Sequence, residues 1–242
     1  MSATALTGAL SAAGSREVAP GFAELGVTAF TTTREAGSFG LQGSEPSAVV
    51  FGRWGALRES LREARLASAR QVHGATVVRH LPGWTGWLRA DDADGHLVRE
   101  RGTALSVTVA DCVPVFIAHP GGATALLHSG WRGTAARIVA EAIRMLAAEG
   151  LPASELVVHC GPAICGRCYE VSPDVHGKLT GRPVDRPTPV DLRALIAGHA
   201  RELGVRDVTI SARCTRCDND RFFSHRAGDE GRQLGVMLAE PR

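Results

Sequence analysis

The chain has 242 residues, 44% of them hydrophobic and 21% charged, with a formal net charge of +2 at pH 7. That balance fits a soluble globular protein with a sizeable core, and so little net charge, with one tyrosine and seven phenylalanines, argues against a nucleic-acid partner. No apolar run approaches the roughly 20 residues of a membrane span, and Lys178, the only lysine, belongs to no Gly-Lys-Ser/Thr phosphate loop and is a poor Schiff-base candidate.

Residues 1–20 are expected to form a flexible tail: Met1 to Ser15 is rich in Ala, Ser, Thr and Gly and lacks the basic start and apolar run of a signal peptide. Without a signal, a cytoplasmic location is expected, and six cysteines point to reduced thiols with metal or catalytic roles. Val27 to Thr33 has strand character and ends at Arg34 in a loop signal. From Ser47 to Leu66 the apolar residues Val50, Leu57 and Leu61 recur at helical spacing. Gln71 to Leu81 reads as a strand interrupted at His73-Gly74, followed by the turn-rich Pro82 to Trp87. Asp91, Asp92 and Asp94 before Gly95 read as a solvated acidic turn. Thr103 to Val109 alternates with period two, as a half-buried strand does.

Val113 to Ala118 and Ala123 to Leu127 are short apolar strands joined by His119-Pro120-Gly121-Gly122. A helix is expected next, capped by Thr134, with Ala135, Ile138, Val139, Ala142 and Leu146 on one face and Gly150 and Pro152 stopping it. Leu156 to His159 reads as a strand, Asp191 as the cap of a helix running to Gly204, and Val205 to Ala212 as the last strand. With no fixed-period repeat and no low-complexity linker, one domain of mixed strands and helices is expected over 21–242.

The chemistry concentrates at strand ends. Leu127-His128-Ser129-Gly130-Trp131-Arg132-Gly133-Thr134 places a histidine and an arginine at a strand-to-helix corner, where free backbone N–H groups favour anions. His73, Cys112 and His128 are the soft and borderline ligands zinc prefers, and three protein ligands with an open position is a catalytic arrangement. Their separations, 39 residues from His73 to Cys112 and 16 from Cys112 to His128, form no local metal motif. The same residues also allow Cys112 as a nucleophile with His128 or His73 as its base. In an extended strand Asp111 and Cys112 point to opposite faces, so Asp111 suits a supporting role. Arg132, at the helix start, suits phosphate or carboxylate, and Arg34 and Arg226 are further candidates for the same pocket. Cys165-Gly166-Arg167-Cys168 and Cys214-Thr215-Arg216-Cys217 form two Cys-x-x-Cys pairs able to build a separate four-cysteine structural zinc site.

Taken in order, Gln71-Val72-His73-Gly74, Ala93-Asp94, Ala110-Asp111-Cys112-Val113-Pro114, His128-Ser129-Gly130-Trp131-Arg132-Gly133, Gly161-Pro162-Ala163-Ile164, Cys168-Tyr169-Glu170-Val171, Cys214-Thr215 and Phe222-Phe223-Ser224 resemble the laccase-domain proteins. These are also called polyphenol oxidase or peptidoglycan editing factor proteins and include purine nucleoside phosphorylases. The resemblance runs from about Thr31 onward. It implies an α+β fold of two packed mixed β-sheets flanked by helices, with His73, Cys112 and His128 as both zinc ligands and catalytic residues.

It further implies a cytoplasmic enzyme that cleaves purine nucleosides, among them adenosine, inosine and methylthioadenosine, with phosphate, and that can deaminate adenosine. Arg132, Arg34, Arg226 and Ser129 are the expected substrate and phosphate contacts, in a monomer or small homo-oligomer with no nucleic-acid or membrane partner. A zinc- or Cys/His-based amidase acting on a peptidoglycan precursor is the alternative. A copper-dependent polyphenol oxidase is the weaker one, because nine histidines without a His-x-His pair suit a multi-copper cluster poorly. The chain departs from the family at the loop after Arg34, at Gly52-Arg53, and at Ser129, His225 and Ala227, which touches substrate preference rather than the metal ligands.

Overall fold

In the computed structural model, residues 15–62 and 64–241 are described. Two six-stranded mixed sheets dominate. The first runs in the order β1 (Arg16–Val18), β2 (Val27–Thr32), β14 (Gln233–Ala239), β7 (Thr103–Val109), β3 (Arg65–Ala69) and β5 (Trp87–Ala90). The second is β13 (Asp207–Ile210), β10 (Val157–Cys160), β8 (Val113–Ala118), β9 (Thr124–Ser129), β6 (Gly95–Val98) and β4 (Val77–His80). A two-stranded ribbon, β11 (Glu170–Val171) with β12 (Thr188–Pro189), completes the strands. The helices are α1 (Ser47–Ser60), α2 (Trp131–Ala135), α3 (Ile138–Ala148), α4 (Pro173–Thr180) and α5 (Leu192–Glu202).

Period-two alternation sorts the strand side chains into layers. Leu105, Val107, Phe116, Leu126 and Met237 fill the space between the sheets with Phe22, whose ring meets Phe116 edge-on at 6.2 Å. Their neighbours Leu234, Val236 and Leu238 face outward and take α1 through Trp54 and Leu57. On the far side, Val113, Val115 and Ile117 receive Ile138, Val139, Ile143 and Leu146 of α3 and Ile196 and Ala200 of α5. The result is a single α+β domain of four layers, helix, sheet, sheet and helices, as the family resemblance implies.

Several local expectations give way to tertiary packing. The first 14 residues of the expected 1–20 tail lie outside the described residues, but Arg16–Val18 pairs with β2 in register, so the folded unit starts before residue 21. The helix expected over Ser47 to Leu66 stops at Ser60, and Arg65–Ala69 is the strand β3. Within Gln71 to Leu81 only Val77–His80 is strand. β7 is not half-buried: six of its seven residues are buried, because helix α1's layer covers one face and the second sheet the other.

The helix after the central corner is broken. Arg137 takes the left-handed conformation at φ 60° and separates α2 from α3. Gly130, not Thr134, precedes the first turn, and the Thr134 hydroxyl pairs with Ser129 Oγ at 2.9 Å. The Asp191 cap is formed as expected, its carboxylate accepting from the N–H groups of Arg193 and Ala194. Val205 to Ala212 is not the last strand, since β14 follows and occupies the middle of the first sheet.

Candidate active site

Between β7 and β8 the chain crosses from one sheet to the other through Ala110-Asp111-Cys112. A positive φ of 77° at Asp111 makes the sharp turn, a conformation non-glycine residues adopt only when held. Two groups hold it: Thr215 Oγ1 donates to Asp111 Oδ1 at 2.6 Å and the Arg226 N–H donates to Oδ2 at 2.7 Å. Asp111 thus serves the turn, and its neighbour Cys112 is left facing the seam.

β9 brings His128 to the same seam, paired opposite Pro114 of β8. His73 arrives on the loop between β3 and β4, also at positive φ, 62°. What gathers them is Asp94, fully buried at the start of β6. Its Oδ1 accepts from the His73 N–H at 2.9 Å and bonds His128 Nδ1 at 2.8 Å, while Oδ2 accepts from the N–H groups of Gly74 at 2.6 Å and Val72 at 3.2 Å. Gln71 ties the same loop to β7, its amide accepting from the Thr108 N–H and donating to the Thr108 carbonyl, both at 2.8 Å.

The donor atoms of His73, Cys112 and His128 all lie within 4.8 Å of one another. With Nδ1 committed to Asp94, His128 has Nε2 for the cluster, the orientation that a carboxylate commonly imposes on a metal-ligating histidine. Burial opposes charge on Cys112, yet the charge of His128 and hydrogen bonds from His128 and His73 bring its pKa down to about 6. Burial likewise opposes charge on His128, and the Cys112 thiolate and Asp94 overcome it, raising it to about 9. Asp94 is held below its usual range: burial alone would raise it, but His128 and the N–H groups of the His73 loop stabilise the carboxylate.

The residues fit a metal ion. A thiolate and two imidazoles are a soft-to-borderline donor set suited to zinc, and compatible with copper. Gly130 supports the fit, since a Cβ there would stand 2.9 Å from Cys112 Sγ and 3.2 Å from His73 Cδ2. Only a glycine leaves that space open beside the ligands. Among the described residues, one further group could hold a metal, the four cysteines 165, 168, 214 and 217.

A cavity of about 530 Å³ opens from the cluster across the ends of β3 and β7. Arg132 and Arg226 line it, together with Arg70, Arg89 and Arg232, which sequence reasoning did not single out. Arg132 lies over the Trp131 ring at 4.5 Å and has no carboxylate partner among the described residues. Arg226 lies over Tyr169 at 5.2 Å and donates to the Glu170 carbonyl.

Two expected contacts are not brought to this cavity. Ser129 follows His128 in a strand and so points to the opposite face, fully buried against Thr134. Arg34 turns away: its guanidinium donates to the carbonyls of Asn219 and Phe222, pairs with Asp229 at 2.5 Å and lies 4.5 Å from the Phe223 ring centre. The residue most missed is Asp94. Its position in an acidic run before glycine gave the signature of a solvated turn, and only the apolar strand after it hinted at burial.

Comparison with known proteins places these features in context. Residues 35–240 match a family described as multi-copper polyphenol oxidoreductase laccase. A purine nucleoside phosphorylase of Streptomyces coelicolor is 35% identical over 207 residues, 82% of this chain and 85% of that protein. A purine nucleoside phosphorylase of Deinococcus radiodurans is 33% identical over 188 residues, 71% of this chain and 69% of that protein. The crystal structure of YlmD from Geobacillus stearothermophilus superposes with a TM-score of 0.84 at 28% identity, covering 92% of this chain and 94% of that one.

Proposed function

The chain belongs to the multi-copper polyphenol oxidoreductase laccase family, and from that membership we propose that it is a zinc-dependent purine nucleoside phosphorylase acting on adenosine, inosine or methylthioadenosine. One observation carries the reading: a cluster of soft metal ligands opens into a cavity whose Arg132 has no carboxylate partner among the described residues. Relatives named purine nucleoside phosphorylase, 33–35% identical over most of the chain, support it.

In this reading His73, Cys112 and His128 are the catalytic residues and hold the zinc, which when bound supplies a Lewis acid for charge building on the purine. Arg132 and Arg226 receive phosphate, with planar forks that match its oxygens. Trp131 and Tyr169, which line the cavity, offer flat faces to the base. A phosphate oxygen attacks the ribose C1′ as the C1′–N9 bond breaks, giving ribose 1-phosphate, and the electron pair leaves with the purine, which is then protonated. Asp94 keeps the His128 ring in one orientation throughout. Adenosine deamination at the same centre belongs to the proposal as a side activity, and the cytoplasm as its setting.

A second reading rests on a separate observation. Asp94, His128 and Cys112 stand in hydrogen-bonded sequence, with the thiol lowered to about 6, as in a cysteine hydrolase. The carboxylate in that sequence is Asp94 rather than the neighbouring Asp111. An amidase acting on a peptidoglycan precursor would use it.

Product analysis separates the two. Zinc-loaded protein incubated with adenosine, inosine and methylthioadenosine is expected to release free base and a sugar phosphate only when inorganic phosphate is present, and Cys112→Ala is expected to abolish that release. Intact nucleosides under every condition would overturn the phosphorylase reading, and phosphate-independent cleavage of a muropeptide precursor would replace it with the amidase.

A further inference from the structure

Four cysteines outside the cavity have no part in the chemistry above. Cys165 and Cys168 lie on the loop after β10, and Cys214 and Cys217 on the segment after β13, each pair spaced Cys-x-x-Cys. Parallel strands β10 and β13 bring the two segments side by side, and a single bridge between Ala163 and Cys214 continues their pairing. All four sulfur atoms lie within 4.8 Å of one another, with Cys168 and Cys217 at 3.5 Å. A tetrahedral zinc site with Zn–S bonds of about 2.3 Å has S···S edges of about 3.8 Å. The cluster is therefore close to the dimensions of such a site without backbone rearrangement.

Three further observations favour an ion over four idle thiols. Cys214 Sγ accepts from the N–H groups of Cys165 at 3.2 Å and Cys217 at 3.4 Å, bonds that stabilise a thiolate. Arg167 and Arg216, both exposed, stand inside the two motifs, Arg216 donating to the Cys168 carbonyl at 3.4 Å, and bring positive charge to where four thiolates would concentrate negative charge. Cys217 is exposed, which gives an ion a path from solvent.

We propose that Cys165, Cys168, Cys214 and Cys217 bind one zinc ion as a structural site, distinct from the centre at His73, Cys112 and His128. Binding converts the thiols to thiolates, releasing their protons to solvent, and forms four Zn–S bonds without redox change. The ion's work is positional. Thr215, between Cys214 and Cys217, donates its hydroxyl to Asp111, and the Ile164 N–H, next to Cys165, donates to the Asp111 carbonyl at 3.1 Å. Ile164 and Tyr169 line the cavity. The knuckle thus clamps the two segments that hold the turn before Cys112 and form one cavity wall.

The test is metal content, which depends on no assumption about substrate. After loading with zinc and desalting, the unaltered chain is expected to retain two equivalents by mass spectrometry, Cys112→Ala one, Cys217→Ser one, and the double variant none. Cobalt loaded into Cys112→Ala, which has only the four-cysteine group left as a thiolate site, is expected to give the intense sulfur-to-cobalt charge-transfer absorption of a four-thiolate centre. That spectrum keeps the proposal testable if Cys217→Ser does not fold. A Cys112→Ala chain that retains no zinc, a cobalt spectrum without that absorption, or a Cys168–Cys217 disulfide in metal-free, anaerobically purified protein would overturn it.

Discussion

Four hydrogen bonds converge on Asp94, three from the backbone of the His73 loop and one from the ring of His128. One buried carboxylate therefore fixes two ligands of the cluster, and its loss acts through both. Asp94→Asn is expected to weaken zinc binding about 10–100-fold, the usual cost of removing the group behind a ligating histidine. Competition with a chromophoric chelator measures this directly, and unchanged affinity would remove Asp94 from the metal site. Arg132 and Arg34 are expected to separate. Arg132→Ala should raise the KM for phosphate at least tenfold with little change in melting temperature. Arg34→Ala should leave that KM unchanged and cost about 1–3 kcal/mol of stability, because Asp229, held down to about 2 by its bonds to Arg34, Ser224 and Asn219 against the effect of burial, loses its cationic partner. Phosphate titrations and thermal melts on the two variants decide the matter.

Elements were legible where local pattern and tertiary role agree. The Asp191 cap, the apolar face Ile138, Val139, Ala142 and Leu146, and the strands that deliver Cys112 and His128 could all be read from spacing. β14 could not, because Gln233-Leu234-Gly235-Val236-Met237-Leu238-Ala239 has one β-branched residue and a glycine as its third residue. That glycine has a packing reason. A Cβ at Gly235 would lie 3.1 Å from Pro114 Cβ and 3.2 Å from Val107 Cγ2, so the two sheets close over it. Gly235→Val is expected to destabilise the fold by about 1–3 kcal/mol through overpacking. A denaturant midpoint equal to that of the unaltered chain would mean that the sheets can part there without cost. The site itself was legible only as chemistry: three ligands of the right kind at strand ends, with nothing in their separations to say that the crossing at Asp111 and the loop at His73 would bring them together.

At the scale of the whole molecule, buried histidines set the response to acid. Burial lowers His159 to about 4, and burial with the adjacent His80 lowers His96 to about 3, against 6.5 in an unfolded chain. Between those values the unfolded state binds protons that the folded state refuses, so unfolding takes protons up. The contribution of these two groups is therefore complete above about pH 6.5 and falls as pH drops, by at most about 1.4 kcal/mol per pH unit for each, until the folded-state values near 4 and 3 are reached. Urea midpoints between pH 7 and 4 are expected to decline, and His159→Gln should flatten part of that decline; a flat profile in the unaltered chain would contradict this account. The position of β14 has a consequence of another kind. It is the last strand in sequence and pairs with both β2 and β7, so a ribosome making this chain exposes β2 and β7 with the place between them vacant until residue 239 has emerged. Cys112, at the crossing out of β7, is translated more than a hundred residues before the sheet that contains β7 can close. The crossing at Asp111 thus waits on the C-terminal segment twice, for β14 beside β7 and for the Arg226 N–H that holds the Asp111 carboxylate.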